Sequence, residues 1–281
     1  MKGEPMKSNM HHTYRGPVKA LIADLAGTTV DFGSCAPAGA FVELFSRHDV
    51  PITLAQAREP MGLHKRDHIR EIASMPEVNE KWREIHGAAW TDDEISSMYE
   101  EFIPLQVESL PRYSDLIPGT VETMDTLRAR GIAIGVNTGY STEMMDVVLE
   151  CAARQGFVAQ SAVCASDVPA GRPAPWMIFR SMEQLGIYPP DAVVTVGDTI
   201  PDIEAGLNAG VWTIGVVVTG NMLGLNERQV EALPPEELDA RKKTACDVMH
   251  KAGAHFVADG ITDCIGIIDH INDLMASGKR L

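Results

Sequence analysis

The chain of 281 residues can form one large domain or two modest ones, and 45% apolar with 22% charged residues describes a folded, soluble protein. With 24 Lys and Arg against 39 Asp and Glu, the net charge of −15 excludes nucleic acid and anionic membrane surfaces as expected partners, so an anionic substrate needs local cations. Five cysteines without C-x-x-C spacing indicate neither a disulfide framework nor a zinc site but reduced thiols in the cytoplasm, and no apolar run approaches the ~20 residues of a membrane span.

The leader 1–16 is polar, carries His11-His12 and lacks the apolar centre of a signal peptide, so a mobile tail is expected there. An apolar run over 18–23 reads as a buried strand that stops at Asp24, followed by Gly27-Thr28-Thr29. A carboxylate at the carboxyl end of such a strand is either a reacting group or the start of an Asx-turn. Residues 31–37 read as a linker, and a helix is expected over 38–48. From there to about Pro111 only helices are indicated: capping-box patterns begin at Thr53 and Thr91, and helical spacing runs over 64–73, 80–86 and 94–110.

Strand and helix then alternate, which argues for a doubly wound parallel sheet interrupted after its first strand by the helical insert. Helices are expected over 120–130, 142–155, 176–185, 202–209 and 262–276. Strands are expected over 132–136, 162–164, 192–196 and 211–218, with a polar stretch over 220–237. Thr138, and Asp198 with Asp202, fall at the ends of two of these strands. In a parallel sheet those ends share one edge with Asp24. A carboxylate nucleophile, a hydroxyl for an anionic oxygen and two acids for a hard cation such as Mg2+ suit phosphoryl transfer, although Asp198-x-x-x-Asp202 also reads as acids capping a helix.

Five runs in this order carry a family resemblance: Asp24-Leu25-Ala26-Gly27-Thr28-Thr29-Val30-Asp31, Met61-Gly62-Leu63-His64-Lys65, Asn137-Thr138-Gly139-Tyr140, Gly171-Arg172-Pro173-Ala174-Pro175-Trp176 and Val196-Gly197-Asp198-Thr199. Through them the chain resembles the haloacid dehalogenase superfamily and, within it, the phosphonatases. The resemblance implies an α/β fold: a Rossmann-like core over 17–33 and 112–281 with an all-helical cap over 34–111. It implies Asp24 as nucleophile, Mg2+ on Asp24, the Ala26 carbonyl, Asp198 and Asp202, and a homodimer through the cap. Gly27, Thr28, Met61, Thr138, Gly139, Tyr140 and Arg172 are implied as substrate and phosphoryl contacts, Tyr140 and Met61 being equally readable as core.

Superfamily phosphatases usually carry an acid two residues after the nucleophile, to protonate a leaving alkoxide. Here that position is Ala26. A carbon–phosphorus bond instead leaves a carbanion, which needs an electron sink, and Lys65 can supply one as an imine with an aldehyde. The implied reaction is cleavage of a small phosphonate, phosphonoacetaldehyde, to acetaldehyde and phosphate through a Lys65 imine and an aspartyl-phosphate. A phosphate-ester phosphatase or phosphomutase is the alternative. His68, three residues after Lys65, is the candidate proton shuttle or a structural histidine. Arg172 stands where the phosphatases usually have Lys, and it cannot compete as an imine former. Leu25 in place of the usual Trp and the pair Ser34-Cys35 depart from the pattern without touching the reacting groups.

Overall fold

A computed structural model describes residues 14–279, so most of the leader read as a tail lies outside the described residues. The chain runs β1 (Ala20–Ala23), α1 (Cys35–Arg47), α2 (Leu54–Arg58), α3 (Lys65–Ser74), α4 (Pro76–His86) and α5 (Asp92–Ser109). It continues through α6 (Thr120–Ala129), β2 (Ala133–Thr138), α7 (Thr142–Arg154), β3 (Ser161–Cys164), α8 (Trp176–Leu185), β4 (Val193–Gly197) and α9 (Ile200–Ala209). The last elements are β5 (Trp212–Val216), α10 (Glu227–Glu231), α11 (Pro235–Lys251), β6 (Phe256–Ala258) and α12 (Cys264–Ala276).

The strands form one parallel sheet in the order β3-β2-β1-β4-β5-β6. Strand order reverses between β1 and β4, and in open α/β sheets ligands bind at the carboxyl ends beside such a reversal. Alternate residues of β1 serve opposite faces: Ala20 and Ile22 pack with Ile178, Met182 and Ala205, whereas Leu21 and Ala23 join the apolar core on the other face. With helices over both faces, β1 is buried along its whole length, which holds Asp24 at a fixed point.

Helices α1 to α5 pack on one another as a lobe, and its buried residues, including Phe41, Phe45, Ile72, Trp82, Met98 and Phe102, are continuous with the apolar core on one face of the sheet. Both expected capping boxes are present, at Thr53 with Gln56 and at Thr91 with Glu94. Trp82 is only 1% exposed. Trp82→Ala is therefore expected to cost about 3–5 kcal/mol of stability, read as a lowered urea midpoint.

The two chain segments that join the lobe to the sheet lie side by side. Val30 bridges Leu116 in antiparallel fashion, Asp31 N–H donates to Asp115 O (3.1 Å), and Ile117 N–H donates to Thr29 O (2.9 Å).

Several expected boundaries shift for physical reasons. Helix α1 begins at Cys35 rather than at 38, because Asp31 reaches forward to cap it: its carboxylate accepts from Cys35 N–H (3.0 Å) and Ala36 N–H (2.9 Å). Pro37 is tolerated in that first turn, where an N–H has no helical partner. Helix α4 starts at Pro76 rather than at 80, with proline at the first helical position. The region after β5, read as polar chain to 237, contains α10 and the beginning of α11, and α11 and β6 are additional elements.

Candidate active site

Asp24 follows β1 directly, and its N–H donates to Val196 O of β4 (2.9 Å), so backbone pairing sets its position. Gly27 turns the chain back at φ +83°, and a Cβ there would lie 2.2 Å from Asp198 Oδ2. Gly27→Ala is expected to lose about 1–2 kcal/mol from the left-handed backbone alone, measurable by urea unfolding, before any displacement of Asp198. Thr219 Oγ1 donates to Gly27 O (2.9 Å) and secures the turn.

One oxygen from each of Asp24, Asp198 and Asp202 falls within 4.8 Å of the other two, and all three residues are buried. Arg172 bridges the cluster, with Nη2 2.7 Å from Asp24 Oδ1 and Nη1 2.8 Å from Asp202 Oδ1. Nη2 also donates to Asn137 O (3.1 Å) and to Asn137 Oδ1. The other oxygen of Asp202 accepts from the N–H (3.0 Å) and hydroxyl of Thr199, as the capping box of α9. Both oxygens of Asp202 are thus engaged, and it is at once a helix cap and the support of Arg172.

Asp198 is different. Its Oδ2 accepts from Asn221 N–H (2.7 Å), whereas Oδ1 is buried with no hydrogen-bond partner among the described residues. Burial pushes Asp198 well above the usual carboxylate range, with Asp24 and Asp202 adding repulsion. Burial likewise raises Asp24 to about 6, against the pull of Arg172. An orphaned carboxylate oxygen among three acids facing one guanidinium is a donor set for a hard divalent cation.

Lys65 opens α3 and is 4% exposed. Among the described residues Nζ has no carboxylate within salt-bridge distance; it lies 4.0 Å from Met61 Sδ and over the rings of Tyr140 (5.1 Å) and Phe41 (5.6 Å). Burial, against the pull of Asp24 and with Arg172 adding to it, brings its pKa down to about 8. His68 stacks on Phe41 with centroids 3.8 Å apart, and Nε2 donates to Ala57 O (2.9 Å). Its Nδ1 is buried without a partner among the described residues, and burial beside Lys65 holds the ring well below its ordinary pKa.

Asp24, Ala26, Met61, Lys65, Thr138, Gly139, Tyr140, Arg172 and Asp198 line one cavity. Gly27, Thr28, His68 and Asp202 are not among its lining residues. Among the described residues Thr28 Oγ1 and the Tyr140 hydroxyl are buried and unpartnered, and Thr138 Oγ1 accepts from Tyr140 N–H (3.2 Å). The space left is about 20 Å³, room for no more than about one water. The lobe closes tightly over the sheet: a Cβ on Gly139 would meet Leu63 O at 2.7 Å, and one on Gly62 would meet Thr199 Oγ1 at 2.2 Å.

The sequence reading missed Asn137, Thr199 and Asn221. Asn137 and Thr199 sit inside motifs already singled out, so their neighbours were the available signal. Asn221 acts through its backbone N–H, which leaves no side-chain signature.

Residues 18–210 match the model of the haloacid dehalogenase-like hydrolases. The chain is 46% identical over 266 residues to a phosphonoacetaldehyde hydrolase of Syntrophobacter fumaroxidans, covering 95% of this chain and 96% of the relative. It is 42% identical to one of Bacillus cereus, with 90% and 96% covered. The crystal structure of a phosphonoacetaldehyde hydrolase-like protein from Oleispira antarctica superposes with a TM-score of 0.95 at 40% identity, covering 99% of this chain and 100% of that one.

Proposed function

We propose, from the premise that this chain belongs to the haloacid dehalogenase-like hydrolases and to their phosphonoacetaldehyde hydrolase family, that it cleaves the carbon–phosphorus bond of phosphonoacetaldehyde. The observation that carries the reading is Lys65: a buried amine without a carboxylate partner among the described residues, held near pKa 8, on the cavity that Asp24 lines. Ala26 leaves that cavity without the acid an alkoxide would require, which speaks against ester hydrolysis.

In the proposed sequence the neutral Lys65 amine adds to the substrate aldehyde and loses water, giving an iminium. An Asp24 oxygen attacks phosphorus, and the electron pair of the breaking phosphorus–carbon bond passes into the iminium to form an enamine. A proton returned to carbon and hydrolysis of the imine release acetaldehyde. Water then hydrolyses the aspartyl-phosphate and frees Asp24. His68, with its free Nδ1, is the candidate to relay protons behind Lys65. Arg172 and Thr138 face the phosphoryl oxygens in this reading, with the Gly27-Thr28 turn outside the cavity lining, while Met61, Gly139 and Tyr140 shape the pocket. Mg2+, held by Asp24, the Ala26 carbonyl and Asp198 with Asp202 in support, would supply positive charge against the phosphoryl oxygens.

Residues 34–111 act here as a cap over a core of 17–33 and 112–281. We also propose a homodimer through the cap, where Leu54 and Ile85 are exposed, in a reducing cytoplasm that suits five free thiols. No helix among the described residues is long and apolar enough to cross a membrane.

The test is borohydride reduction in the presence of phosphonoacetaldehyde, followed by peptide mapping. The expected product is a covalent adduct on Lys65, and its absence would sink the proposal. The initial trapping rate should rise with pH through about 8, because only the neutral amine attacks and that fraction grows above the pKa.

A further inference from the structure

We infer that Arg58 is a positioning residue which straps the helical lobe to the sheet and, through Asn221, fixes Asp198. Arg58 ends α2 and does not line the cavity shared by Asp24 and Lys65. Its Nη1 donates to Gly33 O (2.8 Å), Ser34 O (3.1 Å) and Asn221 Oδ1 (3.0 Å), and its Nη2 donates to Gly224 O (3.1 Å). Among the described residues no carboxylate lies within salt-bridge distance of it, so the guanidinium works as a directional fork, and its charge also favours the ionised form of buried Asp31.

The acceptors come from two places. Gly33 and Ser34 belong to the segment on which the lobe is hung, whereas Asn221 and Gly224 belong to the loop after β5. All are reached at once only when lobe and sheet stand as they do here. The core leaves room for this fork. Gly224 has φ +63°, and a Cβ there would lie 2.8 Å from Arg58 Nε.

The grip is mutual, because Asn221 Nδ2 donates back to Arg58 O (3.2 Å). The same Asn221 donates its N–H to Asp198 Oδ2 at 2.7 Å. Gly220 beside it approaches so closely that a Cβ would lie 2.4 Å from Asp198 Cβ. Closure of the lobe and orientation of Asp198 are therefore joined through one asparagine. The role at Asp198 rests on the proposed function; the strap itself does not.

The experiment is reductive methylation of the full-length protein with formaldehyde and cyanoborohydride, scored by peptide mapping at Lys65 against exposed Lys243. Lys65 can be reached only when the lobe opens, and this labelling needs no phosphonate turnover. Arg58→Met and Arg58→Lys should each raise relative labelling of Lys65 by at least about tenfold, since both remove the fork. They should also weaken Mg2+ binding, titrated directly on the protein, by about tenfold.

Thr91→Ala, which removes a helix cap in the same lobe without touching Arg58, controls for general loosening and should leave labelling near wild type. If Arg58→Met does not fold, Asn221→Ala cuts the grip from the core side and carries the same prediction. Labelling of the Arg58 variants within about twofold of wild type, or an equal rise in Thr91→Ala, overturns the strap. A failed imine trap alongside increased labelling would instead overturn the proposed chemistry and leave the strap standing. Increased labelling with unchanged Mg2+ affinity would overturn the link to Asp198.

Discussion

Lys65→Arg is expected to lower kcat for phosphonoacetaldehyde by at least about 10³-fold and to abolish borohydride trapping, with the fold intact. Arginine keeps a long cationic side chain at the position, so charge and bulk are roughly preserved, but a guanidinium does not deprotonate and cannot form the imine. Without that electron sink the phosphorus–carbon bond would have to release a bare carbanion. The surroundings of Lys65 serve the free base: two aromatic rings and a thioether sulfur lie about Nζ, with no carboxylate within salt-bridge distance among the described residues. A variant with near-normal turnover would show that Lys65 is only part of the wall. Measuring kcat and trapping on the same preparation separates that result from a simple loss of binding.

Asp24→Ala is the complementary case: imine trapping on Lys65 should persist while phosphate release falls by at least about 10³-fold. The two groups belong to different parts of the molecule, Lys65 to α3 in the lobe and Asp24 to the end of β1, so either can be removed without deleting the other. Asp24→Ala also removes one of the two carboxylates held by Arg172, and Asp202 remains to hold that guanidinium in place. If trapping vanished together with phosphate release while the circular dichroism spectrum stayed native, Asp24 would be required for the imine as well, and the division of labour proposed here would be wrong.

The strand-end acids were legible because an apolar run that stops at Asp24 or at Gly197-Asp198 encodes burial and termination in consecutive letters. The capping boxes at Thr53 and Thr91 were legible for the same reason: cap and responder lie three residues apart. The start of α1 was not, because Asp31 caps it from outside the usual spacing, with the chain turning at Ser34 in a left-handed conformation. Helix α11 buries only Ala245 and Met249 along its length, so its apolar stripe is faint, and β6 has three residues. Arg58 and Asn221 were invisible for another reason. Their partners are mostly backbone groups brought together by the fold, and a backbone carbonyl carries no letter. Asp202 shows that two sequence readings need not compete, since the helix cap and the site acid are one carboxylate.

The paired segments Thr29–Asp31 and Asp115–Ile117 make the whole helical lobe, topologically, the loop of a β-hairpin. A sheet that already tolerates a turn at this point can accept a longer excursion at a closure cost that grows only logarithmically with its length. The core therefore need not change its own pairing to carry a different lobe. The same ribbon restricts motion: its cross-strand hydrogen bonds fix register and resist sliding of one segment past the other, while bending across its flat face leaves them intact. An opening of the lobe about this ribbon would therefore be a bend rather than a slide, and it would part Lys65 from Asp24, which line one cavity here.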